Sequence, residues 1–314
     1  MSTDHHSRMA QGVKMFAVTV NWNRPDDTIE CARSILSGGY DDVGLVVVDN
    51  GSADGSAEKM RQALPTATLI ANPTNEGYVK GVNKGIRLAL DAGATHILVI
   101  NNDAIGKGDF IVQLKEALDR HPEAGLVSPK ILYHNSNRIW FSGGTFNKWL
   151  GYSKHTDMDL INQGQGEESE QDYITGCSIL VRADLFRTIG LFDEQYNIYG
   201  EDIDFCIRAK DRGFGSWYAP NTIVYHKVSL SSGVGGSNIM TPFRSYYYGR
   251  NMLLLVKKRK RGITKISCAM GQTFILLPYY FLIISAQRSK GAFRSYIRGY
   301  LDALKLVVKN EANS

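Results

Sequence analysis

The chain has 314 residues, of which 43% are hydrophobic, 21% charged and 10% aromatic, proportions that exclude a disordered or fibrous protein and allow a sizeable core. The net charge of +5 is unevenly divided: residues 1–241 carry 22 basic and 29 acidic side chains, whereas 242–314 carry fourteen Lys and Arg against Asp302 and Glu311. An acidic body followed by a basic tail implies a partner for the tail.

Taken in order, a polar tail over 1–14 precedes the first apolar run. Met15–Val20, Leu45–Asp49, Thr68–Ala71 and His96–Ile100 read as strands, and Thr28–Ser37, Ser56–Leu64 and Gly81–Ala92 as the helices between them. This alternation predicts an α/β fold with a mostly parallel nucleotide-binding sheet flanked by helices over 15–241, and a helical extension over 242–314. In such sheets ligands bind beyond the carboxyl ends of the strands. Those ends are polar here: Asn21-Trp22-Asn23, Asp49-Asn50-Gly51-Ser52, Asn72 to Gly77, and Asn101-Asn102-Asp103. Further on, Lys130–Tyr133 and Arg138–Phe141 read as strands, Gly143-Gly144 as a turn and Gln163–Gln171 as a loop. Tyr173–Val181 reads as a strand running into a helix at Ala183–Ile189, and Glu201–Arg212 as another helix.

Neither G-x-G-x-x-G after the first strand nor G-x-x-x-x-G-K-[ST] occurs, which argues against dinucleotide and P-loop sites. The run from Val48 to Ser56 suits a tight turn capped by Asp54 or Ser56 as well as a ligand loop. Gly77, Gly81 and Gly85, with Asn83, would either admit a ligand to the backbone or pack a helix closely on the sheet. Asp103 at a buried strand end could cap a turn or hold a hard cation. Gly200-Glu201-Asp202-Ile203-Asp204 opens a helix, where acidic residues complement the macrodipole. Three carboxylates within four residues exceed what a cap needs and point to a general base. His226, after Val224-Tyr225, gains meaning as a second metal ligand beside Asp103.

Together and in order, VDNGSADGS, NEGYVKGVNKGI, LVINND, YITGCSILVRADLFRTIGLFDE and GEDIDFCIRAKDRGF resemble the family 2 glycosyltransferases of the GT-A fold, especially the rhamnosyltransferase-like bacterial members. The resemblance runs from Phe16 to about Val228. It implies an inverting, metal-dependent hexosyltransferase in cell-surface polysaccharide synthesis. On this resemblance Asp49 and Asn75 contact the base or ribose of a nucleotide-diphosphate sugar, Asn21, Asn50, Gly77 and Asn83 shape the pocket, and Asn102 meets the ribose or a phosphate. Asn101-Asn102-Asp103 stands where the family has an Asp-x-Asp element; its first acid is Asn here, leaving Asp103, with His226, as the ligands of Mg²⁺ or Mn²⁺. Asp202 matches the catalytic base, with Glu201 and Asp204 orienting base or acceptor. Gly176 and Cys177 flank the donor sugar, and Trp140, Gly143 and Gly144 are candidates for the acceptor side. The donor expected is dTDP-L-rhamnose, with UDP-hexoses next. A catalytically silent GT-A-like membrane-docking scaffold and a sugar-nucleotide nucleotidyltransferase are the alternatives.

The tail contains Lys257-Lys258-Arg259-Lys260-Arg261 and then an uncharged window of 22 residues, 266–287, followed by Arg288, Lys290, Arg294 and Arg298. That window is just long enough to span a bilayer. Basic clusters on both sides favour a helical pair lying in the interface on anionic lipid over a crossing helix. The apolar neighbourhood makes lipid a better partner than nucleic acid for the basic run. The expected acceptor is therefore a polyprenyl-linked saccharide. Four scattered cysteines and the absence of a leader-like apolar stretch suggest a cytoplasmic protein, peripheral on the inner face of the membrane. The Tyr-rich segment from Tyr246 is a candidate homodimer contact.

Overall fold

A computed structural model of the chain describes residues 14–228 and 239–306. Apart from Lys14, the polar tail expected over 1–14 lies outside the described residues. Four strands form the parallel heart of the sheet: β1 (Met15–Asn21), β2 (Val43–Asp49), β3 (Thr68–Ala71) and β4 (His96–Ile100), ordered β3-β2-β1-β4. β1 is buried along its whole length, as its apolar run, interrupted only by Thr19 before Asn21, requires of a strand covered on both faces. The chain steps from β1 to β2 to β3 and then back across to β4. The switch between β1 and β4 opens a crevice at their carboxyl ends.

Helices α1 (Pro25–Leu36), α2 (Ser56–Ala63) and α3 (Tyr78–Asp91) make the crossovers. α3 buries Val79, Val82, Ile86 and Ala89 at helical spacing. A Cβ on Gly85 would come within 2.3 Å of Val18, and one on Gly81 within 3.1 Å of Val20. These two glycines therefore serve close helix-to-sheet packing, the plainer of their two readings.

Beyond β4 the sheet is mixed. β11 (Ser178–Arg182) pairs antiparallel with β4 and with β6 (Ala124–Tyr133). β12 (Gly215–His226) runs parallel to β6 and carries the edge strand β10 (Ser169–Gln171), within the stretch expected to be loop. β5 (Ala104–Gly106) lies against β12, β7 (Ile139–Phe141) against β6, and β8 (Gly144–Asn147) with β9 (Tyr152–His155) form a separate hairpin. The expected strand Tyr173–Val181 forms only from Ser178. Upstream, the Gly176 amide is taken by the Asp202 carboxylate instead of a ladder partner. α4 (Phe110–Arg120), α5 (Ala183–Ile189) and α6 (Glu201–Asp211) complete the α/β body; α4 escaped the sequence reading.

The extension begins as α7 (Pro242–Arg259), and this helix is built into the body. Leu254 and Leu255 join the main core. The fully buried Asn251 amide shares its two N–H groups among the carbonyls of Tyr196 (3.0 Å), Ile198 (2.7 Å) and Tyr199 (2.7 Å). Lys258 pairs with Asp193, and Arg259 donates to both carboxylate oxygens of Asp204 at 2.6 and 3.1 Å. Lys257 donates to the carbonyls of Ala303, Leu304 and Leu306 at the end of α10 (Ala292–Lys305). Three of the five residues in the basic run are thus spent inside the molecule. The tyrosines from Tyr246 are likewise engaged within the chain, Tyr246 with Asp302 and Tyr247 with Asn197.

The apolar window lies in one helical stretch, Gly262–Ala286, formed by α8 (Gly262–Gly271), a π-helical turn (Gln272–Leu276) and α9 (Leu277–Ala286). By length and composition it could cross a membrane. One face is fastened to the body along its length. Cys268 and Gln272 bond to carbonyls of Lys148 and Gly151, while Leu276, Tyr280 and Ile284 pack with Met240 and Tyr296. The opposite face exposes Ile263, Ile266, Met270, Phe274, Ile275, Phe281 and Leu282.

Replacing Asn251 by Ala should destabilise the protein by about 2–4 kcal/mol, because one buried and two part-buried carbonyls lose their donor. Denaturant unfolding of the two proteins checks this, and a loss below about 1 kcal/mol would contradict the role given to the side chain.

Candidate active site

A cavity of about 980 Å³ opens at the carboxyl ends of β1, β2 and β4. Its floor is set by turns that the sequence holds rigidly. Asn50 donates to Asn75 Oδ1 and the Gly77 carbonyl, both at 3.0 Å, and accepts from Asn72 at 3.0 Å and the Glu76 amide at 3.2 Å. Gly77 has φ +91°, and a Cβ there would strike the Asn197 amide oxygen at 1.8 Å. Only glycine fits that approach. Asn50, Asn75 and Gly77 line the cavity, as do Trp22 and Tyr78 beside them.

Asn21 and Asp49 lie one layer below. The Asp49 carboxylate accepts from Asn21 (2.7 Å) and from the Ser52 hydroxyl (2.6 Å) and amide (3.2 Å), while Asn21 accepts from Thr28 at 2.7 Å. Neither is among the cavity-lining residues. Asn83 is also displaced from its expected place, since its amide joins the Phe192 carbonyl and Glu194 and so ties α3 to the loop before α6. Asn102 lines the cavity and donates to Thr28 at 3.0 Å.

Asp103 and His226 meet at the far side. The β5–β12 pairing brings them together, leaving His226 Nε2 3.1 Å from Asp103 Oδ1, both side chains buried. Burial opposes charge on His226, yet Cys177 and Asp103 outweigh it and hold the imidazole well above its ordinary pKa. The Cys177 thiol is itself pushed up by burial. A nitrogen and an oxygen bound at about 2.1 Å and at right angles on one cation would stand about 3 Å apart, which is the spacing of this pair. His226 Nδ1 is buried and makes no hydrogen bond. Among the described residues no three His, Cys, Asp or Glu side chains cluster as a metal site. A cation here would take two protein ligands and complete its shell from substrate oxygens and water, the habit of Mg²⁺ in phosphate sites.

Glu201 and Asp202 enter from α6. The turn before it is unusual: Asn197, Tyr199 and Gly200 all have positive φ (65°, 66° and 89°), and the Asn251 amide holds it in that shape. Asp202 accepts the Gly176 amide at 2.9 Å and the Ile203 amide at 2.8 Å, which fixes its carboxylate. Burial raises the pKa of Asp202, and these amides limit the rise. Glu201 is 6% exposed, has Oε2 buried without a partner, and is pushed up to about 8, by burial first and by Asp202 second. Asp204 points away from the cavity. Arg208 (2.8 Å) and Arg259 grip its fully buried carboxylate, and against the effect of burial they hold its pKa low. It is a structural anion and is not among the cavity-lining residues.

Gly176-Cys177 joins the two acid sets. The Gly176 amide binds Asp202, and the Cys177 thiol, one residue on, lies against His226 and acts on its charge. Trp140 lines the cavity but stacks edge-on against His226 and His155, at 4.5 and 4.8 Å between centroids, placing it behind the Asp103–His226 pair. Gly144 is absent from the lining; it starts β8 and would collide with the Tyr173 ring if it carried a Cβ. The sequence reading missed the wall supplied by the extension, where Arg244, Tyr248, Tyr279 and Tyr280 reach the cavity. The clustering of tyrosines after Phe243 was the signal that could have shown it.

Residues 14–237 match the family described as "Glycosyltransferase like family 2". The chain is 30% identical over 210 residues to N-acetylglucosaminyl-diphospho-decaprenol L-rhamnosyltransferase of Mycobacterium tuberculosis, covering 61% of this chain and 68% of that protein. It is 25% identical over 266 residues to the dTDP-rhamnosyl transferase RfbF of Shigella flexneri, covering 83% and 86%. Its fold is similar to that of the mannosyltransferase PcManGT from Pyrobaculum calidifontis, solved with GDP-Man and Mn²⁺, with a TM-score of 0.56 at 15% identity over 93% of this chain and 87% of that one.

Folded Glu201 keeps its proton to about pH 8, whereas an unfolded Glu releases it near pH 4.3. The folded state therefore holds the extra proton between those values, and stability should fall as pH rises through that window. Thermal melts from about pH 5 to 8 should show a decline in wild type that Glu201→Gln lacks; parallel curves would contradict it.

Proposed function

Since the chain belongs to the family 2 glycosyltransferases and is rhamnosyltransferase-like within them, we propose that it moves L-rhamnose from dTDP-L-rhamnose, with UDP-hexoses as the next candidates, onto a polyprenyl-linked saccharide with inversion at the anomeric carbon. The observation that carries this reading is the pairing of two unlike acid sets across the Gly176-Cys177 step. One set suits a cation and a diphosphate, the other suits removal of a proton.

In the proposed reaction the donor nucleotide lies over Asn50, Asn75 and Gly77, with Trp22 at the mouth and Asn102 toward the ribose and phosphates. Asn21 and Asp49 keep the strand ends that carry these residues in place. Asp103 and His226 would hold Mg²⁺ or Mn²⁺, which when bound supplies Lewis-acid stabilisation of the departing diphosphate. Asp202 takes the proton of the acceptor hydroxyl as that oxygen attacks the anomeric carbon. Its raised pKa brings a carboxylate closer to the range in which a general base works at neutral pH. Glu201, neutral below about pH 8, avoids setting a second negative charge beside it.

The same reading sets the enzyme on the inner face of the membrane. Helix Gly262–Ala286 is fastened to the body along its length, so crossing the bilayer would draw the polar β8–β9 hairpin into the hydrocarbon. Lying in the interface buries its exposed apolar face and leaves the exposed Arg261, Lys265, Arg288 and Lys290 for anionic headgroups.

Thermal shift with dTDP and Mn²⁺ should show stabilisation of about 2.7 kcal/mol at a hundredfold excess over Kd, lost in Asp103→Ala. Asp202→Asn should keep that binding yet turn over dTDP-L-rhamnose about 10²–10⁴-fold more slowly with a membrane lipid extract as acceptor. No shift with any nucleotide sugar on folded protein would favour the silent scaffold.

A further inference from the structure

The cavity has two unlike walls. The strand ends supply amides and Asp103; Met240 and, from the extension, Phe243, Tyr248, Tyr280 and Ile283 form the other, with the guanidinium of Arg244 among them. The Arg244 guanidinium carbon lies 5.7 Å from the ring centroids of both Tyr199 and Tyr248, so two aromatic rings flank its fork. A guanidinium presented this way matches the oxygens of a phosphate. This wall abuts the turn that carries the acids. The Met252 methyl would be 3.3 Å from a Cβ on Gly200, and the Tyr199 and Tyr248 rings stand 5.7 Å apart.

From Arg244 the apolar lining continues along α9 to the outside. Tyr248 meets Tyr280 at 6.0 Å and Tyr279 meets Tyr152 at 6.4 Å between centroids. One turn of α9 faces both ways. Tyr280 and Ile283 face the cavity, while Phe281 and Leu282 belong to the exposed apolar face. A ligand with an anionic head and a hydrocarbon tail would find a cation beside the acids and a mainly aromatic and apolar path from there to the surface.

We propose that this wall is a subsite for the diphosphate and first isoprene units of a polyprenyl-diphosphate acceptor, with Arg244 on the phosphates and Tyr279, Tyr280 and Ile283 along the chain. The subsite rests on the transferase reading and deepens it. It orients the acceptor so that its saccharide reaches Asp202 while its tail stays on the apolar face of α8 and α9.

Calorimetric titration of the full chain with farnesyl diphosphate, in saturating dTDP and Mn²⁺ to fill the donor site, tests this. The expected result is a second binding event, at least tenfold weaker in Arg244→Ala and severalfold weaker in Tyr279→Ala, with inorganic pyrophosphate and farnesol each at least tenfold weaker than farnesyl diphosphate. Tyr279 is 44% exposed, so its replacement tests the site without risk to the core. Undiminished dTDP affinity in each variant confirms its fold; should Arg244→Ala fail that check, Arg244→Gln and Tyr279→Ala decide. Displacement of farnesyl diphosphate by dTDP, equal affinity in the variants, or equal binding of pyrophosphate would overturn the subsite. If dTDP binds and farnesyl diphosphate does not, the subsite alone falls. If wild type binds neither dTDP nor any nucleotide sugar, the transferase reading falls with it.

Discussion

The Asn251 amide is the constraint on which the site depends. It holds the carbonyls of a turn that contains three residues in the left-handed region, and that turn ends at Glu201 and Asp202. Non-glycine residues enter this region only when their surroundings force them to, and here the force comes from a helix more than fifty residues further along the chain. α7 is therefore as much a part of the active site's frame as the sheet is. Arg259 on Asp204 and Lys258 on Asp193 fasten the same helix on either side of the turn.

Within that frame the carboxylates differ by environment, not by type. Asp204 is buried with two guanidiniums and stays ionised; Glu201 is buried without a cation and keeps its proton; Asp202 sits between them with two backbone amides. Pushing neighbouring groups apart in pKa is how a site can draw one base from several acids, the role proposed for Asp202. Asp103 draws on a different neighbour, His226, and the two groupings are kept at a fixed distance because consecutive residues, Gly176 and Cys177, touch one each.

The tail joins the reaction centre to a surface. Its first helix secures the turn before α6, α9 closes one side of the cavity, and the outward face of α8 and α9 is largely apolar. The charge excess of the region is correspondingly divided. Lys257, Lys258 and Arg259 serve internal carbonyls and carboxylates, whereas Arg261, Lys265, Arg288 and Lys290 face outward.

The sequence by itself determined the α/β body, because apolar runs of strand length alternating with helical spacing permit little else, and it located the polar strand ends and the acids of α6. It also marked Asp103 and His226, though their meeting depends on β12 pairing with β5 across more than a hundred residues. Tertiary structure alone decided which similar residues face the cavity. Asn50 and Asn75 line it whereas Asn21, Asp49 and Asn83 brace it, and Asp202 faces it whereas Asp204, two residues on, turns into an arginine clamp. Local pattern records residue type and periodicity, but the direction of a polar side chain at a strand end is set by whichever distant partner satisfies it first. The same holds for the basic run, whose charges read as a patch until partners distant in sequence claim three of them.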